Sequence, residues 1–126
     1  MAYLVDTDIL VDYVRENEDA AAYLESLKEW SYSVVTAMEL FAGARNNKEI
    51  RALEKFLRNY QEAPLSREIG NRGRTIMKGY AKSHGLDPLD AMIAATAISE
   101  GRTLSTRNSK HFKAIRGLRI EVPDYS

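Results

Sequence analysis

The spacing of apolar positions changes repeatedly along the chain, and each change marks a new element. Residues 3–6 form a short apolar run, Tyr3 to Asp6, that reads as a strand. Ile9, Leu10, Tyr13 and Val14 then follow at i, i+1, i+4 and i+5, which is helical spacing. Residues 19–30 repeat it with Ala22, Tyr23, Leu27 and Trp30. Residues 32–35 read as a second strand, and "TAMELFAGA" from Thr36 as a helix that ends near Gly43. Residues 48–60 carry Ile50, Leu53, Phe56 and Leu57 on one face and charge on the other, the pattern of a surface helix. Residues 63–65 suggest a short third strand, and Ser66 caps a long polar helix that stops at Gly85, leaving His84 a surface role at the helix end.

"DPLDAMIAATAISEG" is the clearest helix, with Asp87 as N-cap, Pro88 at the first helical position and Gly101 just past the end. Residues 103–105 read as a fourth strand, "NSKHFKAI" as a short helical turn and residues 118–122 as a last strand. Short strands alternating with helices predict an α/β domain with a mostly parallel sheet, here a single domain over residues 1–126. No internal repeat, low-complexity segment or linker interrupts it.

Composition narrows the class. The apolar share of 44% and charged share of 29% are those of an ordinary soluble protein. With no cysteine there is no disulfide framework, thiol chemistry or cysteine-based zinc site. Residues 1–10 lack a basic segment leading into a long apolar stretch, and no apolar run reaches the ~18 residues of a membrane span. The expectation is a cytoplasmic protein that does not associate with membranes. The net charge is zero but unevenly placed: residues 1–44 hold nine acids and two bases, residues 45–82 ten bases and four acids, and residues 102–119 six bases and no acid. Such runs are commonly solvated helix faces. They also suit an acidic pocket with a basic rim, a metal site beside a polyanion.

Three acids share one kind of place. Asp6 ends the first strand, Glu39 lies in the first turn after the second, and Asp90 in the first turn of the "DPLDAM" helix. Each has a bland explanation. Thr36 and Glu39 have the spacing of a capping box. Asp90 would favour the positive end of its helix by ~0.3–1 kcal/mol, and Asp6 or Asp8 could cap the first helix. Yet the Asp90 helix is apolar nearly all round, Glu39 sits among Met38, Leu40 and Phe41, and no Lys or Arg lies close in sequence to pair them. A buried carboxylate is costly unless paired or bound to a cation. In parallel sheets the C-terminal strand ends form the ligand crevice, so these acids would converge there around a divalent cation. Oxygen ligands without cysteine or a histidine pair point to Mg²⁺ or Mn²⁺. Beside basic surface, such a site points to phosphate chemistry.

"YLVDTDILVDY", "VVTAMELFAGA", "LDPLDAMIAATAI" and "LSTRNSKHF", in this order and spacing, resemble the motif set of PIN-domain ribonucleases, in particular the toxin half of VapBC toxin–antitoxin modules. The resemblance covers essentially the whole chain. It implies a three-layer α/β fold with sheet order 3-2-1-4-5 and metal-dependent endonucleolytic cleavage of RNA. Its catalytic residues would be Asp6, Glu39, Asp90 and Asn108: Asp6 and Asp90 as direct ligands of Mg²⁺ or Mn²⁺, Glu39 acting through water. A VapB-type antitoxin that pushes a basic side chain into the pocket is the implied partner, and a homodimer the implied assembly. Tyr23, Trp30, Phe56 and Tyr60 could serve either interface or simply fill the core.

The fourth motif departs from the fully acidic form. Where many members carry aspartate, this chain has Thr106-Arg107-Asn108, and His111 stands where others have an acid. Asn108 could hydrogen-bond a metal-held water or cap the next helix. Thr106 and Asp8 would support the pocket from behind its ligands, and Arg107 and Lys110 are placed to meet RNA phosphates. His111 beside Phe112 reads first as packing. Two other readings compete. "DTD" after a first strand also resembles a haloacid-dehalogenase-type phosphatase with Asp6 as nucleophile. The missing fourth acid would equally fit a module that binds RNA or protein without cutting.

Overall fold

The computed structural model describes residues 2–125, apart from the side chains of Ala81, Ser83 and His84, so the role expected of His84 lies outside the described residues. The elements in chain order are β1 (Tyr3–Val5), α1 (Thr7–Val14), α2 (Glu18–Ser26), β2 (Trp30–Ser33), α3 (Val34–Ala42), α4 (Asn47–Leu57), β3 (Gln61–Ala63), α5 (Arg67–His84), α6 (Pro88–Ser99), β4 (Thr103–Ser105), α7 (Ser109–Phe112) and β5 (Ile120–Glu121). The strands form one sheet in the order β3-β2-β1-β4-β5, with every pair parallel. That is the topology the resemblance implies. Because all strands run one way, their C-terminal ends open on the same edge of the sheet.

The three layers follow from strand alternation in β1. Successive side chains point to opposite faces, so Leu4 packs with Ile69, Ile76, Ile93 and Leu104, under α5 and α6. Val5 turns the other way, onto Ile9, Leu10, Leu24, Leu40 and Leu53 of α1 to α4. Both are fully buried. Two cores thus grip a central strand on both sides and fix where its last residue ends.

Caps set the helix starts. Asn17, Asn46, Ser66 and Asp87 each accept a backbone amide of their helix, Asp87 doing so from Asp90 N at 2.9 Å. One expectation is corrected. The α3 cap is Ser33, whose Oγ accepts from Val35 N at 3.0 Å, and not Thr36. The β-branched pair Val34-Val35 reads as strand but forms the first turn of helix. Thr36 and Glu39 therefore lie inside α3 and make no capping box. Trp30, expected to end a helix, opens β2, and β3 lies two residues earlier than expected, before Pro64.

Of the aromatic residues, Trp30 is buried in the core, Tyr23 and Phe56 pack partly buried against it, and Tyr60 is exposed. Tyr13 stacks on Phe56 at 4.6 Å between centroids and Trp30 on Tyr60 at 3.9 Å, closing the junction of α1, β2 and α4. Among the described residues no helix is long and apolar enough to cross a membrane.

Candidate active site

Asp6 leaves β1 and becomes the N-cap of α1. Its Oδ1 accepts from Thr7 N at 2.8 Å and its Oδ2 from the Thr106 hydroxyl at 2.7 Å. Thr106 is delivered by the neighbouring strand, whose Ser105 carbonyl accepts the Asp6 amide at 2.9 Å. Parallel pairing of β1 and β4 thus builds this corner. Asp6 is only 6% exposed. Burial, then the charge of Asp8, raise its carboxyl to about 7; the Thr106 and Thr7 hydrogen bonds oppose this, and Asp90 adds a further push upward.

Asp8, in the first turn of α1, reaches the loop after β4. Its Oδ2 accepts from Arg107 N at 3.0 Å and lies 3.5 Å from the Thr106 hydroxyl. Its Oδ1 is buried and makes no hydrogen bond. Burial raises this carboxyl too, against the Arg107 amide.

Asp90 approaches from α6, half-buried, with its Oδ2 3.5 Å from His111 Nδ1. Burial and the charge of Asp87 raise its carboxyl, and His111 counteracts them. His111, expected to be packing, therefore faces the acids. Asn108 occupies the N-cap position of α7 without capping it; its Nδ2 instead meets His111 Nδ1 at 2.8 Å.

Glu39 joins the site through Thr7, a residue that no motif singles out. The Thr7 hydroxyl donates to Glu39 Oε1 at 2.6 Å and lies 2.9 Å from the Thr36 hydroxyl, while the Thr7 amide holds Asp6. Thr7 is the mechanical link between β1 and α3. Asp12 and Tyr125 were not expected at the site either. Arg107 Nη1 lies 2.8 Å from Asp12 Oδ2, its guanidinium sits 4.8 Å over the Tyr125 ring, and the Tyr125 hydroxyl donates to the same Asp12 oxygen at 2.8 Å. Arg107 is thus engaged with Asp12 and Tyr125 while its side chain stays partly exposed. Lys110 is exposed. No spacing rule signals any of these interactions, because they join residues distant in sequence.

A groove of about 960 Å³ lies nearby between α2 and the C-terminal tail, lined by Tyr23, Glu121 and Tyr125, and contains none of the three acids. The Tyr23 hydroxyl is already committed to Ser105 and Glu121.

The PIN domain family model matches residues 3–118. The chain belongs to the PIN domain family. This PIN domain is 37% identical over 114 residues to the ribonuclease VapC19 of Mycobacterium tuberculosis, covering 86% of this chain and 90% of that protein. It superposes on a chain of a toxin–antitoxin complex from Klebsiella pneumoniae with TM-score 0.84 and 28% identity, over 98% of this chain and 99% of that one. A chain of VapBC2 from Rickettsia felis, bound to a promoter DNA fragment, gives TM-score 0.83 at 25% identity, over 98% and 100%.

Among the described residues of the PIN domain, no three Asp, Glu, His or Cys side chains are drawn close enough to hold an ion. The convergence expected from sequence is therefore looser than a closed ligand cage. The donor chemistry nevertheless fits a hard divalent cation. Asp6, Asp8 and Asp90 are all held above the usual carboxylate range by burial and by neighbouring negative charge, and Asp8 keeps a buried oxygen without a partner. A cation would relieve each of these costs at once.

Proposed function

We propose that this PIN domain is an endoribonuclease dependent on Mg²⁺ or Mn²⁺, acting in the cytoplasm as the toxin of a type II toxin–antitoxin pair. The observation that carries the chemistry is the corner at the C-terminal end of β1, where buried Asp6 accepts from the Thr106 hydroxyl beside Asp8, which accepts from Arg107 N. The charges of Asp8 and, more weakly, Asp90 act on Asp6 there, which supports a shared cation. The relatives support the rest, being a ribonuclease by name and toxin–antitoxin complexes by structure.

Asp6 and Asp90 would hold the cation, and Glu39 would contribute through water. Bound there, the cation supplies electrophilic stabilisation of charge on the phosphate being cut. The chain's own residues prepare the place. Thr106 and the Thr7 amide fix Asp6 and favour its ionised form against the burial that raises it. Thr7 aims the Glu39 carboxylate. Asp8 pins the loop after β4 through Arg107 N, and Asn108 orients the His111 ring beside Asp90, where it can accept or return a proton as charge develops. Asn108 thus acts by positioning. A homodimer and a VapB-type antitoxin that inserts a basic side chain into the pocket complete the proposal.

The deciding experiment is RNA cleavage with Mg²⁺ or Mn²⁺, abolished by EDTA and by Asp6→Ala or Asp90→Ala. Cleavage that survives both substitutions would sink the assignment, and binding without cleavage under every metal would leave a non-catalytic module. The phosphatase reading falls with the family membership, and Asp90 lies on a helix, not on the strand-end loop that chemistry needs.

A further inference from the structure

α5 carries a second feature that the pocket does not use. Arg67, Asn71, Arg74, Lys78 and Lys82 follow each other at intervals of three or four residues, so they share one face of an 18-residue helix. All five are exposed. The face lies opposite Ile69 and Ile76, the buried side of the same helix. Among the described residues none of the four cations forms an ion pair. The acid of this helix, Glu68, lies off the stripe and faces Arg72 at 3.7 Å. At 1.5 Å rise per residue the stripe runs about 22 Å. In a chain of zero net charge, a line of four unpaired cations is a local arrangement and does not follow from a general excess of base.

Its placement relates it to the site. β3 ends at Ala63 and α5 begins at Arg67, so α5 starts within about 13 Å of the sheet edge where the strands finish. Its other end leads through Gly85, in the left-handed conformation at φ 66°, into α6, which carries Asp90 in its first turn. Both ends of the stripe are therefore tied to the catalytic edge. A groove of about 490 Å³ lies along its first half, lined by Arg67, Asn71 and Thr75 together with the Glu68–Arg72 pair.

We infer that this face of α5 is a track for the sugar–phosphate backbone of single-stranded RNA flanking the scissile bond. The inference rests on the nuclease reading and adds to it the path of the substrate. A linear row of cations about 6 to 10 Å apart matches a linear polyanion. A protein partner would need apolar or aromatic anchors, and the exposed large apolar side chains, Val14, Met38, Tyr60, Leu65, Leu89 and Val122, all lie off α5.

The test is equilibrium binding of a labelled single-stranded oligoribonucleotide to the full chain in EDTA, where no cutting occurs, over a range of salt. R74A/K78A is expected to bind about tenfold more weakly at low salt. The slope of log affinity against log salt should shrink by about 1.4, near 0.7 for each phosphate that the variant no longer neutralises. R51A/R58A, which removes exposed cations from α4 and its C-cap, should keep the wild-type slope. An unchanged slope in R74A/K78A, with metal-dependent cleavage intact in the wild type, overturns the track and leaves the nuclease reading standing. Displacement of RNA by polyglutamate at equal charge would make the face a site for an acidic protein and overturn it likewise. A wild type that neither binds nor cuts RNA overturns both.

Discussion

Thr106 Oγ1 donates to Asp6 Oδ2 at 2.7 Å across 100 positions of sequence, and both groups are buried. A hydrogen bond to an ionised carboxylate stabilises the charged form, so Thr106 works against the burial and the Asp8 charge that raise Asp6. Thr106→Val keeps the shape and removes the donor. The carboxyl should then titrate higher still, and the acid limb of the pH–cleavage profile should move upward. Cleavage should fall about tenfold near neutrality and recover in part at higher pH. A profile that merely drops at every pH would assign Thr106 to packing alone.

Asp6 itself makes stability depend on pH. An unfolded aspartate titrates at 3.8, and burial and the Asp8 charge push this one up to about 7. Between those values the folded state binds more protons than the unfolded chain, so stability falls as pH rises through that window. Asp6→Asn removes the group and should flatten this dependence, making the variant more stable than wild type at pH 8 and little different at low pH. The ceiling is roughly 1.4 kcal/mol per unit of pKa displacement. Thermal melts in EDTA at several pH values test it; a variant less stable at pH 8 contradicts the assignment.

Adding Mn²⁺ or Mg²⁺ should reverse the same penalty. A cation that binds the folded state alone raises stability by about 2.7 kcal/mol at a hundredfold excess over its dissociation constant. The melting temperature of the wild type should rise with metal by several degrees. Asp6→Ala and Asp90→Ala should each abolish most of that rise, while Asp87→Ala, which removes a helix cap, should lower stability and retain it.

The alternation of strands and helices and the acids at strand ends are legible in the sequence because they depend on local signals: short apolar runs, caps, and "DPLD" opening an apolar helix. The order of the strands in the sheet is not a local signal and follows only from the resemblance of the motif set. What stays hidden is what lies across strands. Thr7 reads as an ordinary residue between two aspartates, yet it joins Asp6 to Glu39. Glu39 looks like half of a capping box because Thr36 has the right spacing, whereas Ser33 does the capping. His111 reads as packing beside Phe112, yet it faces Asp90, and Arg107 meets Asp12 and Tyr125 from parts of the chain far away in sequence.

That restraint on Arg107 is itself testable. Its amide holds Asp8, and its guanidinium lies between Asp12 and the Tyr125 ring. Tyr125→Phe removes only the hydroxyl bond to Asp12 and should cost less than about 1 kcal/mol. Tyr125→Ala also removes the cation–π surface, worth roughly 0.5–2 kcal/mol, and should loosen the loop that carries Thr106 and Asn108. The turnover number should drop several-fold in the alanine variant, with the phenylalanine variant close to wild type. Equal losses in both would place the effect in the hydroxyl alone.

Glycines in α5 separate backbone freedom from close packing. Gly79 lies inside the helix, and a Cβ there would meet nothing within 4 Å, whereas at Gly73 it would come 2.8 Å from Met92 Sδ of α6. Alanine in a helix interior is favoured over glycine by roughly 0.5–1 kcal/mol. Gly79→Ala should therefore raise the melting temperature by a few degrees. Gly73→Ala carries the same backbone gain, but the flexible Met92 tip must move aside, so its net effect should lie near zero. Gly73→Val should destabilise outright, because its second methyl meets the α5–α6 packing that sets Asp90 in place. If Gly73→Val also lowered cleavage more than its stability loss explains, the α5–α6 spacing would be part of the catalytic geometry.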